Sequence, residues 1–92
     1  MKKIAVLCFG LQHFRQWAIN IFDNIPNVKF LSDIVVFDNT ILYAVNHKNV
    51  AREVRFDEII EIEGFQKKPI VERAKIVKLI KRCREIPYKY VG

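Results

Sequence analysis

The sequence predicts an α/β fold: a small single-domain sandwich over residues 1–92, with a mixed sheet of four to five strands and two main helices in the order β-α-β-β-β-β-α. Three observations carry this expectation. The run "KIAVLCF" near the start is apolar without alternation, the pattern of a strand covered on both faces. A stretch with helical periodicity follows at once, and a second stands near the C-terminus. Between them lie short β-rich runs separated by turn-prone residues.

Lys3 to Phe9 is the expected central strand. From Leu11 to Asn24 the spacing predicts a helix, with Leu11, Phe14, Trp17, Ala18, Ile21, Phe22 and Ile25 on one arc and Gln12, Gln16, Asn20 and Asp23 opposite. Asn24, Pro26 and Asn27 end it. Val28 to Leu31 is a short strand candidate. Ile34–Phe37 and Thr40–Val45 are two further runs, and Asp38-Asn39 between them predicts a tight hairpin. An alternative is one strand from Val28 to Phe37 with a bulge at Ser32-Asp33.

His47 to Val54 reads as a polar connection or a single helical turn. Glu58 to Ile62 is a strand stopped by Gly64. Pro69 suits the first position of a helix, and Ile70 to Glu85 carries an apolar arc of Ile70, Ala74, Ile76, Val77, Ile80 and Cys83. Lys75, Lys78 and Arg82 align on the opposite face. Residues 86–92, "IPYKYVG", form a tail tied down by Tyr88 and Tyr90. Two helices do not cover both faces of such a sheet, so one face is expected to be exposed in part or buried in a homo-oligomer.

The net charge of +6 favours anionic partners: nucleic acid, a nucleotide or an acidic protein face. Cys8 and Cys83 make no disulfide framework. Cys8 reads as a buried small hydrophobe; Cys83, between Arg82 and Arg84, is either a packing residue or a thiol of lowered pKa. No apolar stretch is long enough to span a membrane. The basic start resembles that of a signal peptide, but its apolar core is short and no small-residue cleavage site follows, so a cytoplasmic location is expected.

Chemistry concentrates in four places. A strand, Gly10 and a helix start make the general geometry for binding an anion. A phosphate loop also needs further glycines, a lysine and a hydroxyl residue, which this stretch lacks. Magnesium-dependent hydrolysis of a nucleotide is therefore not expected there, and the plain alternative is that Gly10 only relieves a tight turn. Second, Asp57, Glu61 and Glu63 share one face of a predicted strand and form, with Asp38, a candidate divalent-metal cluster. A solvated face paired to Arg and Lys is the simpler account, and no cofactor or metal is expected. Third, His13 and His47 have no second ligand at metal spacing. Fourth, Lys67, Lys68, Arg73, Lys75, Lys78, Lys81, Arg82, Arg84 and Lys89 crowd the C-terminal stretch, where a row such as Lys75, Lys78 and Arg82 follows phosphates or simply faces water.

The block "NVAREVRFDEIIEIEG", with Arg52, Arg55, Phe56 and Asp57, resembles phage-encoded proteins related to P-loop helicases and terminase-like ATPases. There an arginine-bearing turn leads into "RFD", an apolar strand and an acidic end. Gly10, Gln12, Phe14 and Trp17 likewise resemble the start of small phage proteins with a degenerate core of this kind. The two blocks cover about a third of the chain. The turn reads "ARE" where a glycine often follows the arginine, Glu63 lacks a preceding Asp, and the phosphate loop is missing. The resemblance thus implies a fold and a phage origin, with the host cytoplasm as location, and no ATPase activity.

The expected function is that of a non-catalytic accessory protein that binds an anionic, nucleotide-like small molecule and so sequesters a host defence signal. Its site would comprise Gly10, Gln12, His13 and Arg15 with Arg52 and Arg55, and Phe14 or Trp17 for stacking. The alternatives are an inhibitor of a host protein, or a nucleic-acid binder acting through Lys75, Lys78 and Arg82. An enzyme ranks last.

Overall fold

A computed structural model describes residues 1–91, apart from the side chain of residue 49. Its elements are β1 (Lys2–Leu7), α1 (Leu11–Phe22), β2 (Lys29–Phe30), β3 (Ile34–Phe37), β4 (Thr40–Val45), α2 (Lys48–Glu53), β5 (Glu58–Ile62), α3 (Ile70–Lys81) and β6 (Tyr88–Val91), with a 3₁₀ turn at Phe65–Lys67. They form one mixed sheet in the order β2-β3-β4-β1-β5-β6. The α/β sandwich is as expected, but the described residues form six strands and three α-helices where the sequence predicts four to five strands and two main helices. Gly92, the end of the expected tail, lies outside them.

The apolar run takes the centre of the sheet because both of its faces are covered. Side chains alternate along a strand, so Ile4, Val6 and Cys8 enter one core while Ala5 and Leu7 enter the other. β1 pairs in parallel with β4 and with β5, Ile4 facing Leu42 on one side and Glu58 on the other. The same alternation sends Leu42, Ala44, Ile60 and Ile62 to the α1 side, and Tyr43, Val45 and Ile59 to the α2–α3 side.

α1 covers one face through Phe14, Ala18 and Phe22, at successive i,i+4 positions. The buried stripe is narrower than the expected arc: Trp17 is half-buried, and Leu11, Ile21 and Ile25 are exposed. α2 and α3 cover the opposite face, where Ala51, Ile76 and Ile80 meet Phe56 and Phe65. Each fully buried Ile contributes about 1.5–3 kcal/mol relative to exposure. Both faces are therefore covered, because His47 to Val54, expected as a polar connection or a single helical turn, take the helical form at Lys48–Glu53.

The Asp38-Asn39 hairpin forms as expected. Both residues adopt positive φ, 43° and 61°, the signature of a type I′ turn that joins β3 to β4 antiparallel. β2 pairs antiparallel with β3, and the Leu31 amide donates to the Ile34 carbonyl at 2.9 Å. Ser32 and Asp33 thus lie in a reversal between two strands, not in a bulge. Part of the expected tail, Tyr88–Val91, is β6, paired in parallel with β5. Pro69 is the N-cap of α3, one place before the first helical residue.

α3 stops at Lys81, short of the expected Glu85. Arg82 and Cys83 turn the backbone to φ 45° and 63°, and the Arg82 amide caps the helix on the Lys78 carbonyl. Ile70, Ala74 and Cys83, placed by periodicity on the buried arc, are exposed.

Candidate functional site

In a sheet of this kind ligands favour the carboxyl ends of parallel strands, where neighbouring connections leave to opposite faces. β1 connects through α1 on one face, while β4 and β5 connect through α2 and α3 on the other. Phe9, Gly10, His13, Gly64 and Lys68 gather at that end. Gly10 is extended, at φ −160° and ψ 170°, and caps α1 without a side-chain hydrogen bond. Its conformation is open to any residue, and an added Cβ would lie 3.7 Å from His13 Nδ1, an ordinary contact. The glycine this end requires is Gly64, whose φ of 105° few other residues adopt, although an added Cβ would meet Phe9 and His13 only at ordinary contact distance. His13 meets the Phe9 ring edge-on at 5.5 Å, and Lys68 Nζ stands 5.1 Å from the same ring's centroid. Behind them, burial pushes the Cys8 thiol up to about 12, against a smaller pull downward from Lys68.

The residues expected to share one ligand are spread over the molecule. Gln12 is exposed on α1, whereas Phe14 is fully buried at the base of a cavity of about 360 Å3 that it lines with Arg15, Phe30, Leu31 and Ser32. The Arg15 Nε donates to the Ser32 carbonyl at 3.0 Å, drawing it toward the β2–β3 reversal. His13 and Trp17 do share a cavity, of about 250 Å3, but its other walls include Gln16, Asn20 and Glu63. That lining brings a carboxylate and amides, and no arginine.

Arg52 and Arg55 are at the other end of the sheet from Gly10. A parallel connection must return to the starting edge, so α2 carries the chain back. The Asp57 amide then donates to the Lys3 carbonyl at 2.8 Å, and the Lys3 amide to Asp57 Oδ2 at 2.9 Å. From Lys3 to Gly10 is about 20 Å of extended chain at the usual strand rise. One small ligand does not touch both ends.

Arg52 instead belongs to a groove between α2 and α3. Lys48, Arg52, Lys75, Lys78 and Leu79 line a cavity of about 370 Å3. Lys48 and Arg52 are one turn apart on α2, and Lys75 and Lys78 are neighbours on α3. All four cations are exposed, Leu79 is half-buried, and none of these lining residues is acidic. Arg82 is in line with them but is committed to the fold. Its Nε donates to the Leu79 carbonyl at 3.1 Å, and its terminal nitrogen donates to the carbonyls of Ala51 and Arg52. Arg84 similarly donates to the Phe56 carbonyl at 2.9 Å. The sequence marked Lys75, Lys78 and Arg52 as basic; Lys48 went unnoticed because its partnership arises only when α2 packs on α3.

The carboxylates of the β5 region are paired individually. Asp57 takes the Lys3 amide, Glu58 pairs with Lys2 at 2.7 Å, and Glu61 accepts from Gln66 and from the Tyr88 hydroxyl. Burial, and then that hydrogen bond to Glu61, push the Tyr88 hydroxyl above its ordinary pKa. Among the described residues no three His, Cys, Asp or Glu side chains are grouped to hold a metal ion, and no helix is long and apolar enough to cross a membrane. No protein family, curated protein or solved structure matches this chain.

Proposed function

We propose that this chain is a non-catalytic binding domain that engages the phosphate backbone of nucleic acid through the α2–α3 groove. The observation that carries the reading is the lining of that groove: Lys48, Arg52, Lys75 and Lys78 without an acidic neighbour among them. Along α3 the two lysines are about 4.5 Å apart in axial rise, and along α2 the Lys48–Arg52 spacing is about 6 Å. Cations spread over such lengths on two helices meet more than one phosphate. The net charge of +6 acts in the same direction by steering a polyanion to the surface. Lysine and arginine hold phosphate, and the groove lining adds no nucleophile or carboxylate base beside them.

Fluorescence anisotropy with a labelled oligonucleotide tests the reading. Neutralising about three to four phosphates makes log affinity fall with log salt at a slope of about −2 to −4. The double substitution Lys75→Glu, Lys78→Glu reverses two exposed charges and is expected to abolish binding while the thermal melt stays unchanged. Binding that ignores salt, or that survives the double substitution, overturns the proposal. Mononucleotides run as competitors separate it from a small-ligand site near Gly10, His13 and Lys68: competition unaffected by the double substitution would favour that end instead.

A further inference from the structure

Beside the cationic groove, and sharing Lys48 and Lys75 with it, is a second cavity of about 370 Å3 whose other walls are His47, Pro69, Val71, Glu72 and Ile76. We propose that this cavity receives one unpaired base of a single-stranded nucleic acid whose flanking phosphates lie on Lys48 and Lys75. The proposal rests on the reading of the groove above and specifies the form of nucleic acid it takes.

The two cavities differ in chemistry along a shared border. Pro69, Val71 and Ile76 give the second one an apolar wall, with Val71 62% exposed at its lip. His47 adds an imidazole, a ring type on which bases stack. A water molecule occupies about 30 Å3 of liquid, so the space equals roughly a dozen waters and admits one nucleobase. Its one acid, Glu72, has a counter-charge in Lys68 at 3.7 Å, so the wall holds no unbalanced negative charge beside a phosphate. A nucleotide unit has the same division, an apolar ring joined to an anionic phosphate. In a duplex the ring is stacked and paired inside the helix and does not reach a side cavity without being extruded. In a single strand it is free to turn outward and stack.

The experiment compares the chain and its Val71→Asn variant on a short single strand and on the same sequence as a duplex, by anisotropy at about 50 and about 200 mM salt. Val71→Asn removes apolar wall without adding charge, and its exposure leaves the fold intact. The single strand is expected to bind more tightly than the duplex. The variant loses apolar contact with the base and is expected to bind the single strand about three- to tenfold more weakly, with duplex affinity within about twofold and the salt slope unchanged. If strand and duplex bind alike and Val71→Asn alters neither, or alters both equally, the base-binding inference is overturned while the groove reading stands. If neither nucleic acid binds, both fall. Vesicles of anionic phospholipid serve as the other phosphate source: binding there that depends on Val71, with none to the single strand, also overturns the inference.

Discussion

Arg82 shows how a basic residue on an expected binding row is put to another use. It ends α3 at positive φ, and its guanidinium spans to the carbonyls at the end of α2. Unsatisfied helix-end carbonyls need donors, and a cation there also meets the negative end of the helix. Arg82→Ala is expected to cost about 1–2 kcal/mol in urea denaturation, a loss that Lys78→Ala, on an exposed side chain, does not produce. Equal stability of the two variants would remove the capping role. Cys8 sets a pH dependence of its own. Its thiol is pushed from 9.0 to about 12, chiefly by burial. The unfolded chain ionises it near 9.0, so above that pH the unfolded state has lost a proton that the folded state keeps. The stability linked to this group is complete below pH 9.0 and is lost as the pH climbs to about 12. Cys8→Ala is expected to be less stable at neutral pH through lost packing, and to decline less steeply across that window in chemical denaturation. Parallel declines would refute the assignment.

At the scale of elements, the most local signals were the most legible. Asp38-Asn39 marked the hairpin to the residue because a type I′ turn demands positive φ at both positions, and these side chains tolerate it. Asn39→Ala, which puts a residue without Asn's tolerance of the left-handed region at φ 61°, is expected to cost about 1–2 kcal/mol in thermal or urea unfolding; unchanged stability would mean that the turn does not depend on that tolerance. Two elements are less legible for a physical reason: one reads as either a connection or a helical turn, and the other as a tail. α2 has only six residues, too few to show a helical period, and it is held by packing Ala51 into the core. β6 follows a proline and has exposed side chains at Tyr88, Lys89 and Tyr90, so no alternation of burial announces it; pairing with β5 makes it a strand. The candidate site divides in the same way. The cations of α3 were plain in the sequence, whereas their union with Lys48 and Arg52 depends on how two helices dock. The separation of Gly10 from Arg52 and Arg55 follows from strand direction, which side-chain pattern alone does not specify.

For the molecule as a whole, the sheet sits between one helix and two, with a separate core on each side. β1 lies between β4 and β5 and contributes to both cores, so it opens only when the whole structure does. Native-state hydrogen exchange is expected to find the amides of Ile4 to Leu7 the slowest, with β2 and β6 at the sheet edges exchanging first. Comparable protection at edge and centre would show that the cores do not unfold in that order. The place of β1 has a further meaning during synthesis. Residues 2–7 leave the ribosome well before their partners, residues 40–45 and 58–61. Until β4 has emerged both edges of this apolar strand are open, and one stays open until β5 follows, so the segment is prone to aggregate or to be held by a chaperone. Of the six strands of this sheet, the earliest made is among the last to be enclosed, and the yield of folded protein in a cell will depend on how quickly β4 and β5 follow it.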